Sequence, residues 1–130
     1  MIILSVQEEQ LGKAIVNALY KVHLALGPGL IEKVDEACTA HELRKSGVAV
    51  ARQVDIPIVY DGIKFEEGLR LDLLIEGKVK LEIKAVDLVN PVWHAQVLSH
   101  LKLTGLRLGL ISTFPISSKA SRDLFFDDTL

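Results

Sequence analysis

The residues best suited to chemistry are two acids and a lysine near the middle of the chain. Asp72 lies in one segment of alternating apolar residues, and Glu82 and Lys84 lie two residues apart in the next such segment. Two carboxylates that face each other on neighbouring strands repel unless a cation lies between them, and a divalent ion with oxygen ligands suits that position. Lys84 could then orient a water molecule or stabilise negative charge on a phosphate.

The turn between the two segments decides whether the acids meet. If residues 76–78 form a three-residue loop, Ile75 pairs with Val79, and Asp72 then lies directly opposite Glu82 with Cβ atoms about 5 Å apart. A two-residue loop would place the acids on opposite faces. The other interpretation is an exposed polar sheet face with ordinary charges, because an acid followed by Glu-x-Lys is by itself a weak pattern.

Two helices are predicted before any strand. Ser5 and Glu8 have the spacing of a capping box, and a helix follows that ends at residues 27–29. Its apolar face consists of Leu11, Ile15, Leu19, Val22 and Leu26. A second helix runs from Leu30 to Ser46, with Ile31, Val34, Cys38 and Leu43 near its apolar side.

A two-residue alternation then predicts three strands, which cover about residues 48–58, 69–75 and 79–85. Asp61-Gly62 is a hairpin signal between the first two, so these strands are expected to be antiparallel. Asn90 and Pro91 resemble a helix start, and that helix ends at Gly105. A last core strand covers residues 106–111, and the tail at residues 124–126 either adds an edge strand or docks on a partner. The order predicts a mixed α/β domain.

Composition limits the class of protein. The 130 residues predict a single domain over 1–130, and 49% hydrophobic residues exclude disorder. A mean hydropathy of +0.31 indicates either an aliphatic core or an apolar face against a second copy; composition does not separate these, and we expect a homodimer. The single Cys38 excludes a disulfide framework, and the short apolar start is too brief to span a membrane, so we expect a cytoplasmic protein.

Several known motifs are excluded by spacing. His41-Glu42 begins like a zinc-protease motif, but Lys45 stands where the second histidine belongs. The glycines at 27 and 29 lack the Gly-Lys-Ser/Thr of a phosphate-binding loop.

The net charge excludes one further class of protein. A formal charge of −2 argues against a protein that coats nucleic acid by charge alone.

A series of short motifs occurs in order along the chain. They are Gly29-Leu30-Ile31-Glu32-Lys33-Val34-Asp35, Arg52-Gln53, Asp72, Glu82-Ile83-Lys84, and Gln96 followed by Leu101-Lys102-Leu103-Thr104-Gly105. Together they resemble the GxxExxY proteins of the PD-(D/E)xK nuclease superfamily, from about Gly27 to Phe114. The resemblance implies a restriction-endonuclease-like core, αβββαβ, with a mixed central sheet flanked by helices. This agrees with the order of elements predicted from periodicity.

The resemblance also implies roles for individual residues. It makes Asp72 and Glu82 the metal-binding carboxylates and Lys84 the catalytic lysine. Glu32 becomes an additional metal-site acid that could bind through water, and Gln96 becomes a catalytic residue that could donate to a phosphate. The expected cofactor is Mg²⁺, with Mn²⁺ as an alternative, because these hard cations take oxygen ligands and keep several waters.

Two positions depart from the family pattern. Asp35 replaces the tyrosine that ends the GxxExxY motif, and His100 replaces the tyrosine usual four residues after the glutamine. Asp35 falls within one helical turn of Glu32 and Glu36, so either a cation lies nearby or the helix faces water, and we expect the latter for Glu36. His100 could contact a base or a phosphate, or be an ordinary polar helix residue.

The sequence therefore predicts an Mg²⁺-dependent nuclease that hydrolyses phosphodiester bonds, with DNA favoured over RNA as its partner. Basic residues expected to guide the nucleic-acid backbone are Arg52, Arg70, Lys80 and Lys102. One alternative is a catalytically inactive nuclease-fold module that binds nucleic acid or protein, which the pI of 6.1 and the two lost tyrosines favour. Another is a dimeric structural subunit, which the hydropathy alone favours.

Overall fold

The computed structural model describes residues 4–27, 31–84, 90–113 and 121–126. Two helices, three strands, a helix and two strands follow one another along the chain. They are α1 (Val6–Leu26), α2 (Glu32–Lys45), β1 (Val50–Tyr60), β2 (Ile63–Ile75), β3 (Val79–Lys84), α3 (Pro91–Thr104), β4 (Leu108–Thr113) and β5 (Ser121–Phe126). This order confirms the predicted α/β class. In these ranges, no helix is both long and apolar enough to cross a membrane.

The strands form one mixed sheet in the order β1-β2-β3-β4-β5. β1, β2 and β3 are antiparallel neighbours, whereas β4 pairs parallel to β3 after the crossover through α3. Asp61 and Gly62, at φ of 54° and 72°, form the predicted turn between β1 and β2. β5 pairs antiparallel with β4. The tail therefore forms an edge strand, which is one of the two alternatives that the sequence predicted.

The larger core lies between one sheet face and the first two helices. α1 begins at the predicted capping box, in which the Ser5 hydroxyl accepts from the Glu8 amide and the Glu8 carboxylate accepts from the Ser5 amide. Its buried apolar residues pack on alternate residues of three strands. The core members are Leu11, Ile15, Ala18, Leu19, Ala40, Leu43, Leu73, Ile75, Val79, Leu81, Ile83, Leu108 and Leu110.

A smaller core lies beneath α3 on the other sheet face. The helix starts at Asn90, whose side chain accepts from the Val92 amide, and ends at Gly105 in the left-handed conformation, as the sequence predicted. Val97 and Leu101 are fully buried there against Ile111 of β4. This helix therefore covers the sheet face that carries the even-numbered residues of β3.

The buried face of α2 differs from the prediction. Leu43 is buried as predicted, but Ile31 and Val34 are exposed, and the helix also buries Asp35, Glu36, Thr39 and Ala40. The expectation that Glu36 faces water is wrong: this residue is 3% exposed. Glu36 can be buried because Gln53 and Arg52 of β1 contact its carboxylate.

Candidate functional site

The turn between β2 and β3 sets the register of the two acids. Residues 76–78 form a three-residue turn, closed by the Lys78 amide donating to the Ile75 carbonyl at 2.9 Å, and Ile75 pairs with Val79. This confirms the predicted register and excludes the two-residue loop. Continued past the Leu73–Leu81 pair, the register sets Asp72 opposite Glu82. Asp72 is held there by the Ile83 amide, which donates to its Oδ2 at 3.4 Å.

Asp72 lies in a half-buried position among other charges. Burial is the main cause that raises the pKa of its carboxyl above the ordinary value, and the charges of Glu82 and Glu36 raise it further. The Ile83 amide and the charge of Lys84 act in the opposite direction. An acid whose ionised form is disfavoured in this way gains stability when a cation lies beside it.

Glu82 is 7% exposed and is bound by two side chains through one oxygen. Lys80 Nζ lies 2.6 Å from Glu82 Oε1, and His100 Nδ1 lies 3.4 Å from the same oxygen. Burial opposes ionisation of Glu82, but the hydrogen bonds from His100 and Lys80 and their charges outweigh it and lower the pKa to about 2. Glu82 is therefore a carboxylate at neutral pH.

Lys80 was missed as a site residue, and its expected role in guiding nucleic acid is wrong. Its side chain is completely buried, because β3 places it on the face that α3 covers. Its Nζ also lies 2.6 Å from His100 Nδ1, so the ammonium bridges Glu82 and His100. Burial lowers the pKa of Lys80 below its ordinary value, and the charge and hydrogen bond of Glu82 offset only part of this effect. The ionised Glu82 beside it favours the ammonium form of Lys80.

Lys84 lies two residues beyond Glu82, at the end of β3 and on the same face of that strand. Its Nζ lies 5.6 Å from the ring centroid of Trp93 in α3, which is within the range of a cation–π contact. The positive charge of Lys84 also lowers the pKa of Asp72, so the two groups are close enough to interact. The structure thus places Lys84 near Asp72 and on the same strand face as Glu82.

Gln96 lies between two of these contacts along α3. Trp93 precedes it by three residues and His100 follows it by four, so the three side chains share one helix face. Trp93 contacts Lys84, and His100 contacts Lys80 and Glu82. Gln96 is exposed on that face and can reach a ligand that approaches the site from solvent.

Glu36, rather than Glu32, is the acid of α2 whose charge acts on Asp72. Its Oε1 accepts from Gln53 Nε2 at 2.8 Å, and its Oε2 lies 3.6 Å from an Arg52 guanidinium nitrogen. Gln53 adopts a φ of 52°, a conformation that costs a non-glycine residue energy and recurs near functional sites. Glu32 is exposed in the first turn of α2.

The oxygens of Asp72 and Glu82 fit a hard divalent cation. The hydrogen bonds between described residues engage Oδ2 of Asp72 and Oε1 of Glu82, which leaves one further oxygen on each carboxylate. In the described part of the chain, no three His, Cys, Asp or Glu side chains form a group that could hold a metal ion. Glu32 is therefore not brought into a three-carboxylate set with these two acids.

The comparison with protein families agrees with this geometry. The model of the PD-(D/E)XK nuclease superfamily matches residues 9–123, which is most of the chain. The chain belongs to the PD-(D/E)XK nuclease superfamily. This membership indicates a nuclease-type function. Asp72 followed by Glu82-Ile83-Lys84 fits the acids and lysine in the superfamily name, although Leu71 stands where the name has proline.

A solved structure shows the same fold. The crystal structure of SSO0001 is similar to this PD-(D/E)XK chain with a TM-score of 0.55 at 14% sequence identity. The similarity covers 74% of this chain and 50% of that chain, so the shared fold spans half the length of that protein. No curated protein sequence matches the chain.

Proposed function

We propose that this protein is an Mg²⁺-dependent nuclease of the GxxExxY type that hydrolyses phosphodiester bonds in DNA. One observation carries the proposal: Asp72 and Glu82 lie opposite each other on neighbouring strands, with Lys84 on the same face of β3. The superfamily membership supports nuclease chemistry, and the Gly29–Asp35 and Gln96 motifs support the GxxExxY type.

In the proposed site, Asp72 and Glu82 would hold the cation, and the exposed Glu32 would act only through water. A bound Mg²⁺ or Mn²⁺ supplies Lewis-acid stabilisation of a phosphoryl oxygen and lowers the pKa of a coordinated water. The raised pKa of Asp72 supports this assignment, because burial and two neighbouring carboxylates leave its charge undercompensated.

Three side chains would act on the substrate directly. Lys84 Nζ would orient the attacking water or stabilise charge on the phosphate, and Trp93 would limit the orientations that the lysine samples. Gln96 would donate from its amide to a phosphate oxygen without adding charge. Arg52, Arg70 and Lys102 are the exposed residues of the basic set proposed to guide the backbone, and the first two contact Glu36 and Asp55 respectively.

The test compares the wild type with Asp72→Asn and Lys84→Ala on labelled single- and double-stranded DNA and RNA, with Mg²⁺ or Mn²⁺. Asp61→Asn in the β1–β2 turn and Lys64→Ala in the exposed part of β2 make the same changes away from the site. We expect metal-dependent DNA cleavage by the wild type and both controls, and a loss of about 100-fold or more in each site variant. Cleavage that survives both site substitutions would refute the assignment.

The second candidate function is a nuclease-fold module that binds nucleic acid or protein without turnover. The contact between Lys80 and Glu82 favours it, because an internal ammonium already compensates one of the two acids. Tight DNA binding that needs no divalent ion, without cleavage under any metal, would select this candidate.

The proposal extends to a homodimer, which a mean hydropathy of +0.31 in a small domain supports. Sedimentation velocity at micromolar concentration tests this, and a monomer across the concentration range would contradict it.

A further inference from the structure

The candidate site contains a buried cation of its own. Lys80 Nζ lies 2.6 Å from both Glu82 Oε1 and His100 Nδ1, and its side chain has no solvent exposure. An ammonium group donates three hydrogen bonds and accepts none, so Lys80 donates to Glu82 Oε1, while His100 Nδ1 lies close to both the ammonium and that oxygen. Among the described residues, the ammonium therefore contacts Glu82 of the candidate site and His100 of α3.

A merely structural role explains this lysine poorly. The Cγ atom of Lys80 lies over Gly109, beside methyl groups of Val97 and Leu101. Apolar side chains of similar volume in place of both Lys80 and Glu82 would fill that space without the cost of removing two charges from water. A buried ion pair adds little net stability compared with such a double replacement, so stability alone does not explain the pair, and the ammonium is needed because Glu82 is there.

The charges around Asp72 limit how many divalent ions the site can hold. Three carboxylates act there, those of Asp72, Glu82 and Glu36. Three cations already face them: Lys80 on Glu82, Arg52 on Glu36, and Lys84, whose charge acts on Asp72. The three carboxylates and three cations balance. One divalent ion with an anionic phosphate would then give the site a small positive net charge, whereas two divalent ions would give a partly buried site a large positive net charge.

We propose that Lys80 is a resident cation of the site, in the place beside Glu82 that a second divalent ion would otherwise take. This inference rests on the proposed function, since it assigns a positioning residue to the same site. Lys80 occupies Oε1 of Glu82 and leaves one carboxylate oxygen for a single divalent ion. His100 holds the ammonium in place from the α3 side.

The proposal is tested by direct metal binding, which does not depend on turnover. Mn²⁺ is titrated into the full chain by isothermal calorimetry, with electron paramagnetic resonance to count bound ions. The variants are Lys80→Met, which keeps the length of the side chain, and Lys64→Met, which removes an equal charge from the exposed part of β2. Circular dichroism verifies that each variant is folded.

We expect the wild type and Lys64→Met to bind one Mn²⁺ with equal affinity. Removing the nearby positive charge should strengthen Mn²⁺ binding to Lys80→Met by roughly tenfold or more. A purely structural lysine predicts the opposite sign, because its loss would leave Glu82 misplaced and weaken binding. Should Lys80→Met fail to fold, the count of ions in the wild type still decides, since two bound ions contradict the proposal.

The outcomes separate this inference from the proposed function. Two ions in the wild type, or unchanged or weaker binding to Lys80→Met, overturns the resident-cation role while metal-dependent cleavage stands. If only Lys80→Met binds Mn²⁺, the resident cation is supported and the metal-dependent nuclease fails. If neither protein binds Mn²⁺, the inference is overturned, and the cleavage assay decides the proposed function on its own.

Discussion

Breaking the Lys80–Glu82 pair from either side should destabilise the fold by different amounts and with opposite pH dependence. The two residues are 0% and 7% exposed, so each has little contact with water to replace a partner that is removed. We consider Glu82→Gln, Lys80→Met and the double variant. Breaking one side of a buried ion pair costs about 3–5 kcal/mol, whereas replacing both partners is close to neutral.

The ordinary pKa values set an upper limit on the stability that each variant loses. The partner that remains buried without its counter-charge can become neutral, and the free energy of that change is the limit. In Glu82→Gln, Lys80 must fall from an ordinary pKa of 10.5 to below neutral, which limits the cost at pH 7 to about 5 kcal/mol. In Lys80→Met, Glu82 must rise from an ordinary pKa of 4.5, which limits the cost to about 3 kcal/mol. His100 stays as a partner in both cases, so we expect about 3–4 and 2–3 kcal/mol respectively.

The pH dependence follows from which state binds more protons. In Glu82→Gln, the pKa of Lys80 is lower in the folded than in the unfolded chain, so stability rises with pH and the deficit shrinks from pH 7 to pH 9. In Lys80→Met, the pKa of Glu82 is raised in the folded chain, so stability falls as pH rises and the deficit shrinks from pH 7 to pH 5. In the wild type, the stability from Glu82, with its pKa of about 2, is lost as pH falls below 4.5.

Urea unfolding followed by circular dichroism at pH 5, 7 and 9 measures all three effects. The double variant Lys80→Met with Glu82→Gln should lose less than the sum of the two single losses by about 2 kcal/mol or more. The reasoning is refuted if the single losses are below about 1 kcal/mol and additive, because an exposed pair behaves in that way. It is also refuted if both variants shift in the same direction with pH.

Two further predictions concern the helices that cover the site. A Cβ at Gly109 would lie 3.0 Å from Val97 Cγ1 and 3.3 Å from Leu101 Cδ2, so Gly109→Ala should cost about 1–3 kcal/mol by forcing α3 outward. Gly12→Ala in α1, where a Cβ meets Leu108 Cδ2 at 3.8 Å, should instead raise the thermal midpoint, and equal shifts in both variants would contradict this. Glu36→Gln removes a charge that raises the pKa of Asp72, so that pKa should fall in a carbon-13 NMR titration. An unchanged pKa would show that Glu36 does not act on the site.

The parts of the site that arise from local sequence could be predicted. The sequence left a three-residue and a two-residue loop open, and the three-residue loop pairs Ile75 with Val79 so that alternation along each strand places the two acids opposite each other. The helix starts at Ser5 and Asn90 followed equally from capping chemistry, which involves residues at most three apart. These features depend on short-range geometry, which a single sequence contains.

The parts that depend on packing between distant elements could not be predicted in this way. Even-numbered residues of β3 have the pattern of a solvated strand face, yet α3 crosses over that face and buries Lys80. The apolar residues of α2 indicated one face, but Gln53 and Arg52 of β1 satisfy Glu36 and allow the other face to turn inward. The sequence contained one indirect signal, a glycine at 109, which allows a helix close to the neighbouring strand.

This division between local and distant structure explains why the acids were predicted and their counter-charges were not. Asp72 and Glu82 come from one hairpin, so any sequence that forms the hairpin brings them together. Glu36 acts on Asp72 only when α2 packs beside the sheet, and Lys80 contacts His100 only when α3 packs on the sheet. The pKa values of the two acids therefore depend on how these helices pack. A change that shifts α3, such as Gly109→Ala, should alter metal affinity even though residue 109 has no functional group, because it moves His100 and Lys80 relative to Glu82.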